Sequence, residues 1–186
     1  MAAENANVGA GVTSSGATIY DGDRLQTAAN SSLRVRLGSG QMLLRDNTLA
    51  DVHAFPNGFS ANLGAGTVVV SSPGGQNFQV LADGAMIRPA NAQPTSGQVT
   101  MMSPTELILT STRGTLEVSM GDEVKTVEAG STYRLEVESA DPGASPNPQV
   151  PIAAGKNHFL WILIPVVGVV TGLIIWRAVM SPSSPN

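Results

Sequence analysis

Apolar and polar residues alternate along most of the chain between residues 16 and 138. In the segment LRVRL, Leu33, Val35 and Leu37 share one face, and Arg34 and Arg36 share the other. Alternation with a period of two predicts a strand with one buried face, because successive side chains of a strand point to opposite sides. The same pattern recurs in the segments TVVVSS, NFQVLA, ELILTS, TLEVSM and YRLEVES.

Turn-forming residues separate these segments. Short strands at this spacing predict an all-β domain over residues 16–139, and they leave open an antiparallel sandwich, a jelly roll or a solenoid-like stack of short strands. The proline-containing stretch 88–98 is interpreted as a loop that divides a larger β-lobe from a final three-strand piece. The turn signals are GSG at 38–40, FPNG at 55–58, SPGG at 72–75, TRG at 112–114 and MGDE at 120–123.

The pattern changes to continuous hydrophobicity near the C-terminus. The stretch NHFLWILIPVVGVVTGLIIW, residues 157–176, contains no Asp, Glu, Lys or Arg. At about 1.5 Å per residue it is roughly 30 Å long as a helix, which matches the hydrocarbon core of a bilayer. Phe159 begins the apolar run, and Trp161 and Trp176 lie near its two ends, where indole rings prefer the membrane interface. The stretch therefore predicts one transmembrane helix, and a buried core helix is the alternative.

Small residues inside this predicted helix suggest how it behaves in a bilayer. Gly168 and Gly172 form a small-xxx-small pattern, which can allow a helix–helix contact and a weak homodimer, although glycine is common in membrane helices. Pro165 is expected to kink the helix. Lys156 and Arg177 flank the run with one positive charge each, so the positive-inside rule does not decide the orientation.

The segments around the predicted domain and helix are polar or rich in proline. Residues 140–156 contain four prolines and predict an extended spacer. Residues 1–15 are interpreted as a flexible lead-in, and 177–186 as a short tail. The N-terminus shows no signal-peptide pattern, so the chain as written predicts a tail-anchored protein with a cytoplasmic domain, whereas an upstream signal or span would place the domain outside.

Composition and charge exclude several classes of function. The chain has 10 Lys and Arg against 14 Asp and Glu, a net charge of -4, so it lacks the basic footprint of a protein that binds nucleic acid. Charged residues make up 13% of the chain, about half the usual share. Cysteine is absent, which excludes disulfides, thiolate zinc sites and cysteine nucleophiles.

The segment IYDGDRLQT contains the most conspicuous pair of carboxylates. An EF-hand calcium loop requires Asp at alternating positions, but Leu25 and Thr27 stand there. A catalytic pair requires a neighbouring base or nucleophile, and none is identifiable. We interpret Asp21, Gly22 and Asp23 as a structural turn, because Asp-Gly is a favoured hairpin dipeptide.

No other set of residues predicts catalysis or a cofactor. The two histidines, His53 and His158, lie far apart, and Asp51 near His53 has no third ligand beside it. The sequence contains no GxSxG elbow, HExxH pair or phosphate loop. We therefore predict a protein that is not an enzyme and has no cofactor or metal.

The order of several motifs resembles the FecR-type domain family, known from bacterial iron-citrate regulators. The match covers roughly residues 16–135, and each motif by itself is degenerate. The regulators have a cytoplasmic helical segment and a span before this domain, whereas the predicted span here follows it. The stretch IRPANAQPT also replaces a usual strand. The matching features are Gly22-Asp23, Leu25, Thr27, Ser32, GSGQMLL, Asn47-Thr48, LGAGTVVV, NFQVLADGAMI and GTLEVSMGDEVKTVEAG.

The resemblance implies an extracytoplasmic β-domain that binds partners or senses a signal. With the predicted helix, it suggests a membrane-anchored, non-enzymatic domain with a binding or scaffolding role at the bacterial cell envelope. The alternative is a transmembrane signal-transducing regulator related to FecR-type anti-sigma systems. The expected partners are the lipid bilayer and an unidentified protein or envelope polymer, with no nucleic acid.

Overall fold

A computed structural model describes residues 6–8, 11–12, 16–74, 77–137 and 159–164. Within these ranges the chain is all-β, with no helix, so the all-β part of the predicted fold class is confirmed. The fifteen strands are β1 Ala6–Val8, β2 Gly11–Val12, β3 Arg24–Thr27, β4 Leu33–Leu37, β5 Gly40–Leu44, β6 Leu49–Phe55, β7 Gly58–Ser72, β8 Asn77–Ala82, β9 Ala85–Pro89, β10 Thr95–Ser103, β11 Glu106–Arg113, β12 Leu116–Met120, β13 Glu123–Val127, β14 Thr132–Val137 and β15 Phe159–Ile164.

All of these strands belong to one curled, open sheet that is organised around β7. The first part of β7 pairs with β6 and β8, and its last part pairs with β5 and β10. One half of the sheet therefore has the order β2-β1-β3-β6-β7-β8-β9-β12-β13, and the other half has the order β4-β5-β7-β10-β11-β14-β15. Every pair is antiparallel except β7 with β8.

A glycine-containing bulge marks the point where β7 changes partners. Leu49 pairs with Ala65 while the next residue of β6 pairs with Leu63, so Gly64 is extra in the ladder. Gly66 has a φ of 82°, and a Cβ there would lie 2.5 Å from the carbonyl oxygen of Asn47. Only glycine fits this left-handed, crowded position without strain.

The inward faces of both halves meet in one hydrophobic core. Phe59 of β7 and Phe78 of β8 are fully buried and stack with ring centroids 6.2 Å apart. The alternation predicted for LRVRL is confirmed, because Leu33 and Val35 are buried while both arginines between the apolar positions are exposed.

The stretch 88–98 does not divide the domain as expected. Strand β9 continues to Pro89 and β10 begins at Thr95, which leaves only a short connection. The later strands join both halves of the sheet, because β12 pairs with β9 and β11 pairs with β10. The two prolines, Pro89 and Pro94, do not interrupt the sheet, because Pro89 ends β9 and Pro94 comes just before β10.

The described part of the predicted lead-in is also structured. Strand β1 pairs with β2 and with β3, where Ala6 is opposite Thr27 and Val8 is opposite Leu25. One pairing partner of β1, strand β3, is distant in sequence, which explains why local composition indicated a flexible segment.

Six residues of the predicted transmembrane helix form a strand instead. Phe159–Ile164 pairs with β14, and Trp161 is opposite the buried Leu135. Aromatic and branched residues suit a strand, and the outer edge of β14 supplies the hydrogen bonds that the segment needs. No helix within the described ranges is long and apolar enough to cross a membrane. Residues 140–156 and 165–186, with Pro165, Gly168, Gly172 and Trp176, lie outside the described residues.

Candidate binding surface

The segment around Asp21, Gly22 and Asp23 is a turn in the structure. The amide of Asp23 donates to the carbonyl of Tyr20 at 3.2 Å, and Gly22 alone has a positive φ, of 84°. A glycine at the third position matches a type II turn rather than a two-residue hairpin. The expected hairpin is wrong, because the following strand, β3, pairs with β6 and β1.

Both carboxylates of this turn bind main-chain amides. Asp21 Oδ1 accepts from the amide of Ala54 at 2.9 Å and lies 3.5 Å from Nδ1 of His53. Asp23 Oδ2 accepts from the amide of Tyr20 at 2.8 Å. These contacts fasten the turn to the end of β6. Among the residues with described positions, no group of three or more His, Cys, Asp or Glu side chains could hold a metal ion.

Arg24 and Asp51 form an exposed pair across β3 and β6. Arg24 Nε donates to Asp51 Oδ1 at 2.8 Å. This hydrogen bond lowers the pKa of Asp51, against the smaller opposing effect of burial, and it raises the pKa of Arg24. A lowered carboxylate pKa stabilises the fold above the ordinary Asp pKa, and the contribution is lost as the pH falls through the lowered value.

Two threonines that carry the FecR-type resemblance are buried structural residues. Thr27 Oγ1 donates to the carbonyl of Arg45 and accepts from the amide of Thr48 at 2.9 Å. Thr48 Oγ1 donates to the carbonyl of Thr67 at 3.1 Å and accepts from its amide at 2.9 Å. Each hydroxyl therefore bridges two segments beside the bend of β7, so these motif residues support the fold.

The last strands of the two halves, β13 and β15, touch through Trp161. Tyr133 of β14 and Trp161 of β15 pack edge to face, with ring centroids 6.4 Å apart. Lys125 Nζ of β13 lies 5.0 Å from the Trp161 centroid and 5.2 Å from that of Tyr133. Trp161 Nε1 donates to Glu123 Oε1 at 3.1 Å. Trp161 thus joins the ends of the curled sheet, whereas the sequence placed it at a membrane interface.

Strand β4 presents a different kind of sheet end. It pairs only with β5 among the described strands, and its outward side chains, Arg34 and Arg36, are exposed. Arg45, just after β5, is exposed. It continues the alternation of Gln41 and Leu43, whose side chains lie on the outward face. We call Arg34, Arg36 and Arg45 the basic edge.

The charge of the basic edge is not neutralised by carboxylates among the described residues. Three other arginines of the sheet do have such partners: Arg24 pairs with Asp51, Arg88 with Glu117, and Arg134 with Glu136. Arg113, at the end of β11, is exposed and has no ion pair among the described residues. The three arginines of the basic edge have no such ion pair. In a chain of net charge -4, this concentration of unpaired positive charge favours recognition of an acidic group.

The hydrogen-bonding pattern determines which main-chain groups of β4 face outwards. The amide of Arg45 donates to the carbonyl of Thr67. The main-chain N–H and C=O groups of the alternate residues before it, Leu43 and Gln41, therefore also point to β7. The main-chain groups of the intervening residues, Met42 and Leu44, therefore point to β4. There Met42 is opposite Val35, and Leu44 is opposite Leu33. By the same alternation, Arg34 and Arg36 direct their N–H and C=O groups away from β5, to the open edge.

Sequence patterning identified the exposed face of LRVRL but not its place at the end of the sheet. The two arginines at alternate positions were visible in the sequence. Their position at the end of the sheet depends on β5 pairing with β7 on its other side. Nothing in the local pattern distinguishes an end strand from a central one.

No family model matches this chain, and no curated protein matches it in sequence. Among solved structures, it is similar to crystal structures of candidate anti-sigma factors from Parabacteroides distasonis ATCC 8503, at 2.50 and 1.65 Å resolution. The identities are 12% and 13%, and the TM-scores are 0.54 and 0.52. Each match covers 75% of this chain and 59% of the other, so the chain spans about three-fifths of those proteins. At this identity the likeness concerns the fold.

Proposed function

We propose that this chain contains a signal-transducing binding domain related to anti-sigma regulators. The observation that carries the proposal is the fold similarity to candidate anti-sigma factors over 75% of the chain. The order of the FecR-type motifs supports the same class. The proposed domain acts by binding a partner, and its bound state is passed on to the transcription machinery.

The use of polar residues supports binding rather than catalysis. Four polar side chains bind main-chain groups of the turn and of the β7 bend. A side-chain oxygen accepts a hydrogen bond from a main-chain amide in each of Asp21, Asp23, Thr27 and Thr48. The basic edge, by contrast, offers the exposed charge of its three arginines and the outward main-chain groups of Arg34 and Arg36. Strand edges of this kind serve protein recognition in many domains.

We further propose that the chain is anchored in a membrane through residues 157–176. The support is their length without a charged residue and the proline-rich spacer before them. Residues 165–176 alone would extend about 18 Å as a helix, which is less than the hydrocarbon thickness. A span therefore requires Phe159–Ile164 as well, so pairing with β14 and membrane insertion are alternative uses of the same six residues.

The function is tested by deleting the coding region for residues 16–137 in the organism of origin and sequencing its transcripts. We expect a limited group of transcripts to change, and the full chain supplied in single copy to restore them. A strain with an unrelated insertion at the complementation locus is the control. Unchanged transcripts with an altered cell envelope would contradict the signalling role and favour scaffolding.

A further inference from the structure

We propose that the basic edge binds an extended acidic segment of a partner protein, which adds to β4 as a new antiparallel strand. The inference rests on the proposed function as a binding domain and specifies the chemistry of its partner. It combines two independent features of β4, the main-chain groups at its open edge and the charge of its outward side chains.

The main chain of β4 supplies the hydrogen bonds for such an addition. Arg34 and Arg36 direct their N–H and C=O groups to the open edge, as the ladder between β5 and β7 requires. An added antiparallel strand would exchange two hydrogen bonds with each of them. Strand addition gives affinity through the main chain and leaves selectivity to the side chains.

The side chains of β4 specify the sequence of the added strand. Residues directly opposite one another in an antiparallel pair have their side chains on the same face. The partner residues opposite Arg34 and Arg36 therefore lie on the outward face, where glutamate or aspartate pairs with the guanidinium groups. The residue between them is opposite Val35 and points inward, where an apolar side chain extends the core. The preferred motif is acidic–apolar–acidic.

The same geometry disfavours a second copy of this chain at β4. In a symmetric antiparallel pair centred on Val35, Arg34 of each copy would lie opposite Arg36 of the other. Like charges directly opposite each other destabilise a strand pair. Arginines at a sheet end thus oppose self-association, and they accept an acidic strand.

The test uses the purified full-length chain in a neutral detergent and a labelled, capped nine-residue peptide in which glutamate alternates with valine. Fluorescence anisotropy measures binding. We expect the double variant Arg34→Glu/Arg36→Glu to bind this peptide at least about tenfold more weakly, since two attractions become repulsions. The same variant should bind a lysine–valine peptide more tightly than the unmodified chain does. Arg113→Glu, which reverses an exposed arginine on β11, is the matched control and should change the affinity less than about twofold.

Methylated peptides separate strand addition from simple charge attraction. The glutamates opposite Arg34 and Arg36 use their own N–H groups, so N-methylation of the glutamates should abolish binding. N-methylation of the valines, whose N–H groups face away, should leave binding intact. Three results would overturn the proposal. They are equal binding of the two methylated peptides, equal binding of the glutamate and lysine peptides to the unmodified chain, and no binding at all. The transcript experiment is independent, so a signalling role without peptide binding is a distinguishable result.

Discussion

Individual residues fasten the corner at which β7 passes between the two halves of the sheet. Thr48 bridges the approach to β6 and the second part of β7 through its hydroxyl group. Gly66 comes directly before Thr67 and lies close to Thr48. A Cβ at Gly66 would be 2.5 Å from Thr48 Oγ1. At this corner the buried hydroxyl of Thr48 has its hydrogen-bond partners, and Gly66 has a left-handed backbone conformation that only glycine adopts without strain.

Replacing Gly66 with alanine should be strongly destabilising. The left-handed φ costs about 1–2 kcal/mol for alanine, and overpacking against the Asn47–Thr48 main chain adds about 1–3 kcal/mol. We expect urea denaturation to show a loss of about 2–5 kcal/mol in the free energy of unfolding.

Gly84→Ala is the matched control for this variant. Gly84 has a φ of 76°, but a Cβ there meets nothing within 4 Å. It should show only the backbone cost of about 1–2 kcal/mol. Equal losses in the two variants would contradict the proposed crowding at the corner.

At the scale of elements, the two ends of the second half-sheet differ in character. Strand β4 ends it with exposed arginines, whereas β15 ends it with an apolar strand whose Leu163 is 56% exposed. Trp161 on β15 contacts Tyr133 and Glu123, so one residue connects β15 to both β14 and β13. Trp161 therefore adds side-chain contacts to the main-chain pairing of β15 with β14.

Trp161→Ala should weaken the fold. The variant loses an edge-to-face contact, a cation–π contact and a hydrogen bond, and we expect a loss of about 1–2 kcal/mol in thermal or urea denaturation. Leu163→Ala, on the same strand, should change stability by less than about 0.5 kcal/mol. Identical stability of both variants and the unmodified chain would show that β15 does not support the domain.

At the scale of the whole molecule, most of the hydrogen-bonded polar side chains described above lie on a different part of the sheet from the arginines that we propose for recognition. The Asp21–Asp23 turn, the threonine bridges and the Arg24–Asp51 pair surround β3 and β6. The basic edge lies on β4 and just after β5. Because the chain has no cysteine, single cysteines can report which side of a membrane each part occupies.

We expect the β-domain on the extracytoplasmic side and residues 177–186 inside. A cysteine at Ala92, which is exposed between β9 and β10, should react in intact cells with a thiol reagent that does not cross the inner membrane. A cysteine at Ser184 should react only after lysis. Labelling should be measured in cells that express the gene from its natural start. The reverse pattern would establish a cytoplasmic domain.

Local patterning was enough to predict the all-β class and the buried face of β4. These properties depend on side-chain period and turn residues, which a short window contains. The positions of Thr27 and Thr48 were also identified through the family resemblance. Their bridging role became evident only when the segments they join were brought together.

Pairing between distant segments decided the remaining features. The apolar run FLWILI is compatible with a helix or a strand, and the outer edge of β14 selected the strand for Phe159–Ile164. Strand β1 was missed because its partner, β3, lies beyond a stretch of small polar residues. The basic edge exists because β7 occupies one side of β5 and β4 the other, which leaves β4 at the end of the sheet. Hydrogen bonds between strands connect residues far apart in sequence, so no local pattern determines which edge remains open.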